Sequence, residues 1–323
     1  AAFFHGRVAA SCMRPGEADP EGGVMRVSVA MPVYNAGPYL REAIESMLDQ
    51  TLREFEFIII DDGSTDESRA IIEDYAQRDG RIRMISRPNR GITPTRNEAL
   101  GLAQGECVAV MDADDVSLPD RLALQTAYLD AHPECLAVGG RILIVDAEGW
   151  PIREACTHEA HEDIDRFHMQ GQGGALAHPA SMFRREAALA IGGYREAFAA
   201  GEDLDLFLRF AERGKLANVP QCVLKYRQHS RSVSHARADV TRRCTEAVLR
   251  DAYARRNLPE PGDSLLQVDE APLSLAAQHL KWAWWALDAG HVATARKHAC
   301  RALFREPFRV GSWRAAFCAW RGR

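Results

Sequence analysis

From residue 26 onward, apolar positions follow two alternating rhythms. Residues 27–31, 55–60, 82–85 and 107–111 are short continuous apolar runs, the pattern of strands buried on both faces. Stretches at helical spacing lie between them. Leu40, Ile44, Met47 and Leu48 form one, and Ile71, Ile72 and Tyr75 a second. A third opens at Thr93-Pro94 and reaches about Gln104. Thr65 is predicted to cap the second helix. Thr93 is predicted to cap the third, with Pro94 in its first helical position. Pro119 opens a fourth helix through Leu122, Leu124 and Leu129. This βαβαβαβ succession with short loops predicts an α/β fold, a mostly parallel sheet flanked by helices on both faces.

After Pro133 the rhythm changes. Residues 136–138 and 142–145 read as strands, with a turn at Ala147-Glu148-Gly149 and a polar helical stretch over 158–168. A loop at Gly171-Gln172-Gly173-Gly174 precedes His178-Pro179. Leu204, Phe207, Leu208 and Phe210 form a helix face directly behind Gly201-Glu202-Asp203. A last strand at 222–226 runs into Arg227-Gln228-His229. Beyond residue 236 the pattern is helical throughout. Trp282, Trp284, Trp285 and Leu287 precede Gly290, and Ala295, Ala299 and Leu303 follow, as in a tetratricopeptide-type hairpin. Trp313, Phe317 and Trp320 share one helical face, with Arg309, Arg314, Arg321 and Arg323 around them. That stripe suits docking against the preceding domain, or an interfacial helix on anionic lipid. The expected organisation is a loose tail over 1–25, a catalytic domain over 26–235 and an all-helical extension over 236–323.

Composition narrows the function classes. Of 323 residues, 46% are hydrophobic and 26% charged, the mix of a water-soluble globular protein. A formal net charge of -5 gives no polyanion-binding signal, so nucleic acid is not an expected partner. Arginine supplies most of the positive charge; Lys215, Lys225, Lys281 and Lys297 are the lysines. The 8 cysteines contain no C-x-x-C pair, which argues against a zinc ribbon or a disulfide framework. Cys107 and Cys222 read as small buried hydrophobes of a reducing, cytoplasmic setting. No apolar stretch approaches the roughly 18 residues that span a bilayer. The first two dozen residues are rich in Gly, Pro and Ala and lack the apolar core of a signal peptide. The folded part is expected to begin near Met25.

The chemistry concentrates where apolar runs end. Residues 108–111 lead straight into Asp112, Asp114 and Asp115, which delivers the acids to the carboxyl end of a core strand. Ligands bind at that edge in open α/β sheets. Carboxylates crowded there repel unless a hard cation such as Mg²⁺ or Mn²⁺ sits between them. Such a cation takes its remaining ligands from water and phosphate, which points to a nucleotide-linked substrate. The same D-x-D-x-V string also fits a haloacid-dehalogenase phosphatase with Asp112 as nucleophile. Asp61-Asp62-Gly63-Ser64 ends a second strand at the same edge. It reads as helix capping by Ser64 or Thr65, or as a carboxylate for a base or ribose group. Tyr34, after Pro32-Val33, can stack on a base there. Glu202-Asp203 reads as an acidic pair favoured by a helix dipole, or as a base for an attacking hydroxyl. His229 is a candidate metal ligand. The cluster His158, His161, Glu162, Asp163, Asp165 and His168 lacks zinc spacing and reads as a polar helix surface.

Together these motifs resemble a known family. Val-Ser-Val-Ala-Met-Pro-Val-Tyr-Asn, Ile-Asp-Asp-Gly-Ser-Thr-Asp, Arg96-Asn97, Met-Asp-Ala-Asp-Asp and Gly-Glu-Asp-Leu-Asp are similar to those of inverting family 2 glycosyltransferases of the GT-A fold. The resemblance runs over residues 26–235 in order and spacing. It implies a nucleotide-binding half over 26–115 and an acceptor-side half over 116–235. It implies an enzyme of hexosyltransferase type with a nucleotide-sugar donor, by default a UDP-sugar, and Mn²⁺ or Mg²⁺ as cofactor. Pro32, Tyr34, Asn35, Asp62, Arg96 and Asp112 would serve the nucleotide. Asp112 and Asp114 would be the D-x-D motif, with Asp114 as direct metal ligand and His229 completing the site. Asp203 would be the catalytic base, with Glu202 beside it. The acceptor would be a glycan or lipid-linked sugar in bacterial surface-glycan or polysaccharide assembly, at the inner face of the plasma membrane. A non-catalytic nucleotide-sugar-binding module is the other alternative.

Overall fold

A computed structural model describes residues 25–198, 200–229, 238–259, 262 and 273–322. Residues 1–24 of the tail expected over 1–25, the boundary at 235–236 and Arg323 lie outside the described residues. Strand β1 (Val27–Val33) is followed by α1 (Gly37–Leu48), β2 (Glu56–Asp61), α2 (Ser68–Arg78), β3 (Ile82–Ser86), α3 (Ile92–Leu102) and β4 (Cys107–Val110). Then come β5 (Val116–Ser117), α4 (Arg121–Ala131), β6 (Cys135–Val145), β7 (Pro151–Ala155), α5 (His161–His168), β8 (Met182–Arg184) and α6 (Arg185–Ala190). Helix α7 (Glu202–Ala211), β9 (Lys215–Arg227) and α8 (Ala238–Arg255) complete the main body. Three helices follow: α9 (Leu275–Asp288), α10 (Val292–Arg305) and α11 (Val310–Arg321).

Among the described residues nine strands make one sheet, in the order β3-β2-β1-β4-β8-β6-β9-β5, with β7 on β6. The predicted parallel succession holds across β3, β2, β1 and β4. Beyond β4 the sheet is mixed: β8 runs antiparallel to both β4 and β6, and β6 pairs parallel with β9. The apolar runs are buried on both faces because successive side chains point to opposite sides. Phe57, Ile59, Ala109 and Met31 pack on one face with α1 residues Leu40, Ile44 and Met47. Ile58, Ile60, Val108 and Val110 pack on the other with Ala99 and Leu100 of α3 and Phe207 of α7.

Several boundaries differ from the sequence reading. Residues 136–138 and 142–145 belong to one strand, β6, which runs through Gly139-Gly140. Glycine is needed there for close approach: a Cβ at Gly139 would lie 2.3 Å from Asn218 Oδ1. Strand β9 starts at Lys215 rather than 222, because Pro220 and Gln221 bulge between the pairs Gly140–Val219 and Arg141–Cys222. Strand β7 was not anticipated. Thr65 does not cap α2; its N–H and hydroxyl donate to Asn35 Oδ1, and the helix starts at Ser68. Thr93 lies inside the first turn of α3, whose cap is Gly91 at φ 91°.

The predicted helical hairpin is α9–α10, and α11 packs on both. The unit docks on the main body through polar contacts around β7. Asp146, 1% exposed, accepts from Lys297 Nζ at 2.5 Å and lies 3.0 Å from His298 Nε2. His279 sits against His298, with Nδ1 atoms 3.0 Å apart. Arg153 covers the Trp285 ring, and Trp282 Nε1 donates to Gln228 Oε1 at 2.9 Å. Burial would raise the Asp146 carboxyl, but its His298 and Lys297 partners more than reverse this and hold it well below the usual range. Asp146→Asn removes the buried carboxylate that pairs with Lys297, leaving that ammonium only the more exposed Glu148, so it should lower unfolding free energy by about 3 kcal/mol in urea titration.

Acid should weaken the fold through buried neutral histidines. His168 is fully buried on Phe207, both its ring nitrogens lack a partner among the described residues, and burial pushes it down to about 4. Burial and then His298 push His279 down to about 4 as well. Groups whose folded pKa is depressed bind protons more readily when unfolded. Stability should therefore be full above about pH 6.5 and fall as pH drops toward 4. His168→Phe should flatten part of that slope, as read from urea midpoints at neutral and mildly acidic pH.

Candidate active site

Strand β1 pairs with β2 on one side and β4 on the other, so their carboxyl ends open onto a common edge. Tyr34 follows β1 and is 55% exposed. Asn35 takes φ 52°, turning the chain out of the strand. Its N–H donates to Ser64 Oγ at 3.0 Å, and its Oδ1 accepts from Thr65 N at 2.8 Å. These bonds pin the Asp-Asp-Gly-Ser turn to the end of β1. Asp61 is structural, accepting from Ser64 N and Ser86 Oγ. Asp62 is 4% exposed and accepts from the Arg87 guanidinium, from Arg90 N at 2.9 Å and from Gly91 N at 2.9 Å. A carboxylate offers about four lone-pair positions, so roughly one remains for a ligand.

The acids after β4 gather as predicted. One oxygen each from Asp112, Asp114 and Asp115 lie within 4.8 Å of one another. Asp112 and Asp114 are part-exposed, whereas Asp115 is 1% exposed. Asp115 Oδ1 accepts from Arg227 N at 2.8 Å, and its Oδ2 has no partner among the described residues. Burial, then Asp114 and Asp112, raise Asp115 well above the usual carboxylate range; burial also raises Asp112 against the pull of Arg96. His229 Nε2 lies 2.9 Å from Asp114 Oδ2, and its ring stacks on Tyr39 at 4.9 Å. Three hard oxygen donors, one of them an orphaned buried acceptor, with an imidazole alongside, fit Mg²⁺ or Mn²⁺. Beneath them the fully buried Arg121 donates to the carbonyls of Val110 and Ser181, fixing the end of β4.

Arg96 ties this cluster to α7. It donates to Glu202, and its other terminal nitrogen lies 3.5 Å from Asp112 Oδ1. Glu202 is 7% exposed; burial pushes it up to about 7, with Arg96 opposing and Asp203 adding. Asp203 is part-exposed at the first turn of α7, its Oδ1 accepting from Leu204 N at 2.7 Å. Asn97 exchanges two 2.8 Å bonds with the Tyr194 backbone, placing that ring below Arg96. Pro32 lines a small cavity behind Arg96 with Val110, Phe183 and Tyr194. Asp62 joins the same edge through the Arg90-Gly91 turn that begins α3, the helix carrying Arg96.

The Glycosyl transferase family 2 sequence model matches residues 28–192. The chain belongs to that family. This glycosyltransferase is 34% identical over 210 residues to EpsE of Bacillus subtilis, a protein named as a glycosyltransferase, covering 64% of this chain and 74% of that one. Chondroitin synthase of Escherichia coli is 27% identical over 239 residues, 71% of this chain but 33% of the relative. Among solved structures, Staphylococcus aureus TarS 1–349 in complex with UDP-GlcNAc aligns with TM-score 0.54 at 19% identity, over 93% of each chain. The mannosyltransferase PcManGT of Pyrobaculum calidifontis, in complex with GDP-Man and Mn²⁺, aligns with TM-score 0.53 at 21% identity, over 94% and 90%. These likenesses show the GT-A fold. Membership makes the chain an inverting glycosyltransferase, and it sets aside the phosphatase alternative, which left the upstream Tyr34-Asn35 and Asp61-Asp62 motifs unexplained.

Residues that the motifs did not single out complete the edge. Arg87, Tyr39, Arg121, Tyr194 and Arg227 all touch the named acids or their supports. Arg87 follows β3 and Arg227 ends β9, so the strand-end rule that found the acids also applied to them. Arg121 carried no such signal, since a lone arginine at a helix start reads as surface. The His158–His168 cluster is a polar helix surface only in part: Glu162 is exposed and Asp165 pairs with Arg256, but His168 turns inward and is buried on Phe207, against the surface reading. Among the described residues no metal-type grouping lies there.

Proposed function

We propose that this glycosyltransferase transfers a sugar from a nucleotide-diphosphate sugar, UDP by default, to an acceptor hydroxyl in bacterial surface-glycan or polysaccharide assembly, with Mn²⁺ or Mg²⁺ as cofactor. One observation carries the reading: Arg96 joins the three-carboxylate cluster with His229 to Glu202, the residue next to Asp203 at the start of α7. Neighbours of the same fold named as complexes with UDP-GlcNAc, or with GDP-Man and Mn²⁺, support it, as does the relative named chondroitin synthase.

In this reading Tyr34 stacks on the base, and the remaining Asp62 lone pair accepts from the base or ribose. Asn35 and Arg87 hold those two groups in place. Asp114, Asp112 and His229 hold the cation, with Asp115 buried beside them. A bound divalent ion would offset charge on the departing diphosphate as a Lewis acid. Asp203 takes the proton from the acceptor hydroxyl as that oxygen attacks the anomeric carbon from the face opposite the diphosphate. The carbon–diphosphate bond breaks as the new glycosidic bond forms, inverting the centre. Arg96 keeps Glu202 engaged, so the more exposed Asp203 is the group left to accept the proton.

A panel of nucleotide-sugars, each with Mn²⁺ or with chelator, tests class and donor together. A bound donor at about 100 times its Kd adds about 2.7 kcal/mol of stability, readable as a thermal shift. One donor should stabilise the chain and be slowly hydrolysed, both only with the metal. If no nucleotide-sugar binds or reacts with metal present, the reading is wrong.

A further inference from the structure

The last helix is built inside out. Ser312, Ala315 and Ala319 of α11 are buried against its neighbours, while its large side chains face outward. Val310, Trp313, Phe317 and Trp320 are 59–82% exposed, and Phe304 and Phe308, just before the helix, reach 89% and 99%. A fully covered aromatic side chain buries about 150–250 Å², so five open ones present several hundred Å² of apolar surface. That exceeds what a soluble monomer commonly leaves in one patch. Docking of the Trp313-Phe317-Trp320 stripe on the catalytic domain, one of the two sequence expectations, is therefore not what the fold does. Docking falls to α9 and α10, through Trp282, Trp285, Lys297 and His298.

We infer that this patch is a docking surface for an anionic lipid bilayer, on which α11 and the end of α10 lie flat. Charge decides the partner. Residues 292–322 hold seven arginines and lysines against one acid, Glu306, in a chain whose net charge is -5. Lys297 and Arg301 are engaged by Asp146 and Glu148 on the domain-facing side. Arg305, Arg309, Arg314 and Arg321 are exposed around the aromatics, with Arg321 5.5 Å from the Phe317 ring centre. Anionic headgroups match such a rim, each basic side chain near the surface contributing roughly fivefold to affinity. A second copy matches it poorly, because a two-fold interface joins two arginine-rimmed patches with Glu306 as the one acid of residues 292–322 to offset them. No helix among the described residues is long and apolar enough to cross a membrane, so the contact is interfacial. The patch is fixed to the catalytic body by the Asp146 ion group and the Trp282–Gln228 bond, so attaching it tethers that body to the bilayer.

The test floats the full chain with phosphatidylcholine vesicles, with and without phosphatidylglycerol, at low and high NaCl. Flotation should need phosphatidylglycerol and weaken at high salt. The Trp313→Ser/Phe317→Ser variant should bind roughly tenfold or more weakly, with unchanged circular dichroism and melting. Arg314→Glu/Arg321→Glu should lose the phosphatidylglycerol preference. Should the aromatic pair fail to fold, Phe308→Ser, at a side chain with almost nothing to unpack, carries the same expectation. The inference is overturned if the chain ignores phosphatidylglycerol vesicles, if these variants float like the parent, or if light scattering shows a dimer that Trp313→Ser/Phe317→Ser dissolves.

Discussion

Asp203→Asn lowers turnover by about 10²–10⁴-fold, the usual contribution of a positioned general base, while donor affinity stays within a few-fold. The asymmetry follows from the surroundings of the side chain. Asn keeps an Oδ1 that can accept from Leu204 N, now at 2.7 Å, so the start of α7 survives the change. It cannot take a proton at neutral pH. Glu202→Gln is the companion variant. Glu202 is buried on Arg96 and held up to about 7, so its change should disturb the Arg96 bridge and donor KM rather than remove the base. Steady-state kinetics on both variants, with nucleotide titrations, separate the roles. Normal turnover by Asp203→Asn, or a loss confined to donor KM, would assign that carboxylate another job.

Asp114→Ala abolishes the metal dependence of nucleotide binding with little effect on folding. Its side chain is 31% exposed, and its visible partner is His229, so truncation leaves no buried charge behind. Removing an outer-shell partner of a metal commonly lowers affinity about 10–100-fold; loss of a direct ligand should exceed that. Calorimetry of UDP with and without Mn²⁺ gives two isotherms for the parent chain and one for the variant. Asp115→Ala provides the contrast. That side chain is 1% exposed and receives the Arg227 N–H, so its removal should lower melting temperature as well as metal response. Retained Mn²⁺ enhancement in Asp114→Ala would remove the carboxylate cluster from the proposed cation site.

Much of the edge was legible because hydrophobic runs end abruptly in functional groups. Asp62 after β2, Asp112 after β4 and Tyr34 after β1 all follow the rule that ligands gather at strand carboxyl ends. Local pattern also located α7 and the acids that open it. It failed where a residue's meaning depended on a distant neighbour. Thr65 has every local property of a helix cap, yet Asn35 claims its N–H. Pro220 reads as a strand breaker, yet the sheet absorbs it as a bulge between Val219 and Cys222.

Periodicity and strand-end chemistry thus determined, from sequence, the alternation of elements, the parallel half of the sheet and the identity of the acidic groups. Tertiary structure decided which of those groups share partners. Arg96 bridging Asp112 and Glu202, Arg87 engaging Asp62, and Arg121 buried under β4 join residues far apart in the chain. It also decided the fate of the C-terminal aromatics. A helical stripe of Trp and Phe is equally apolar whether it packs inward or faces out. The choice rested on Ala315 and Ala319, whose small side chains let α11 approach its neighbours closely and turned the large ones outward. No local spacing encodes that packing, because it is set by the shape of the surface the helix meets.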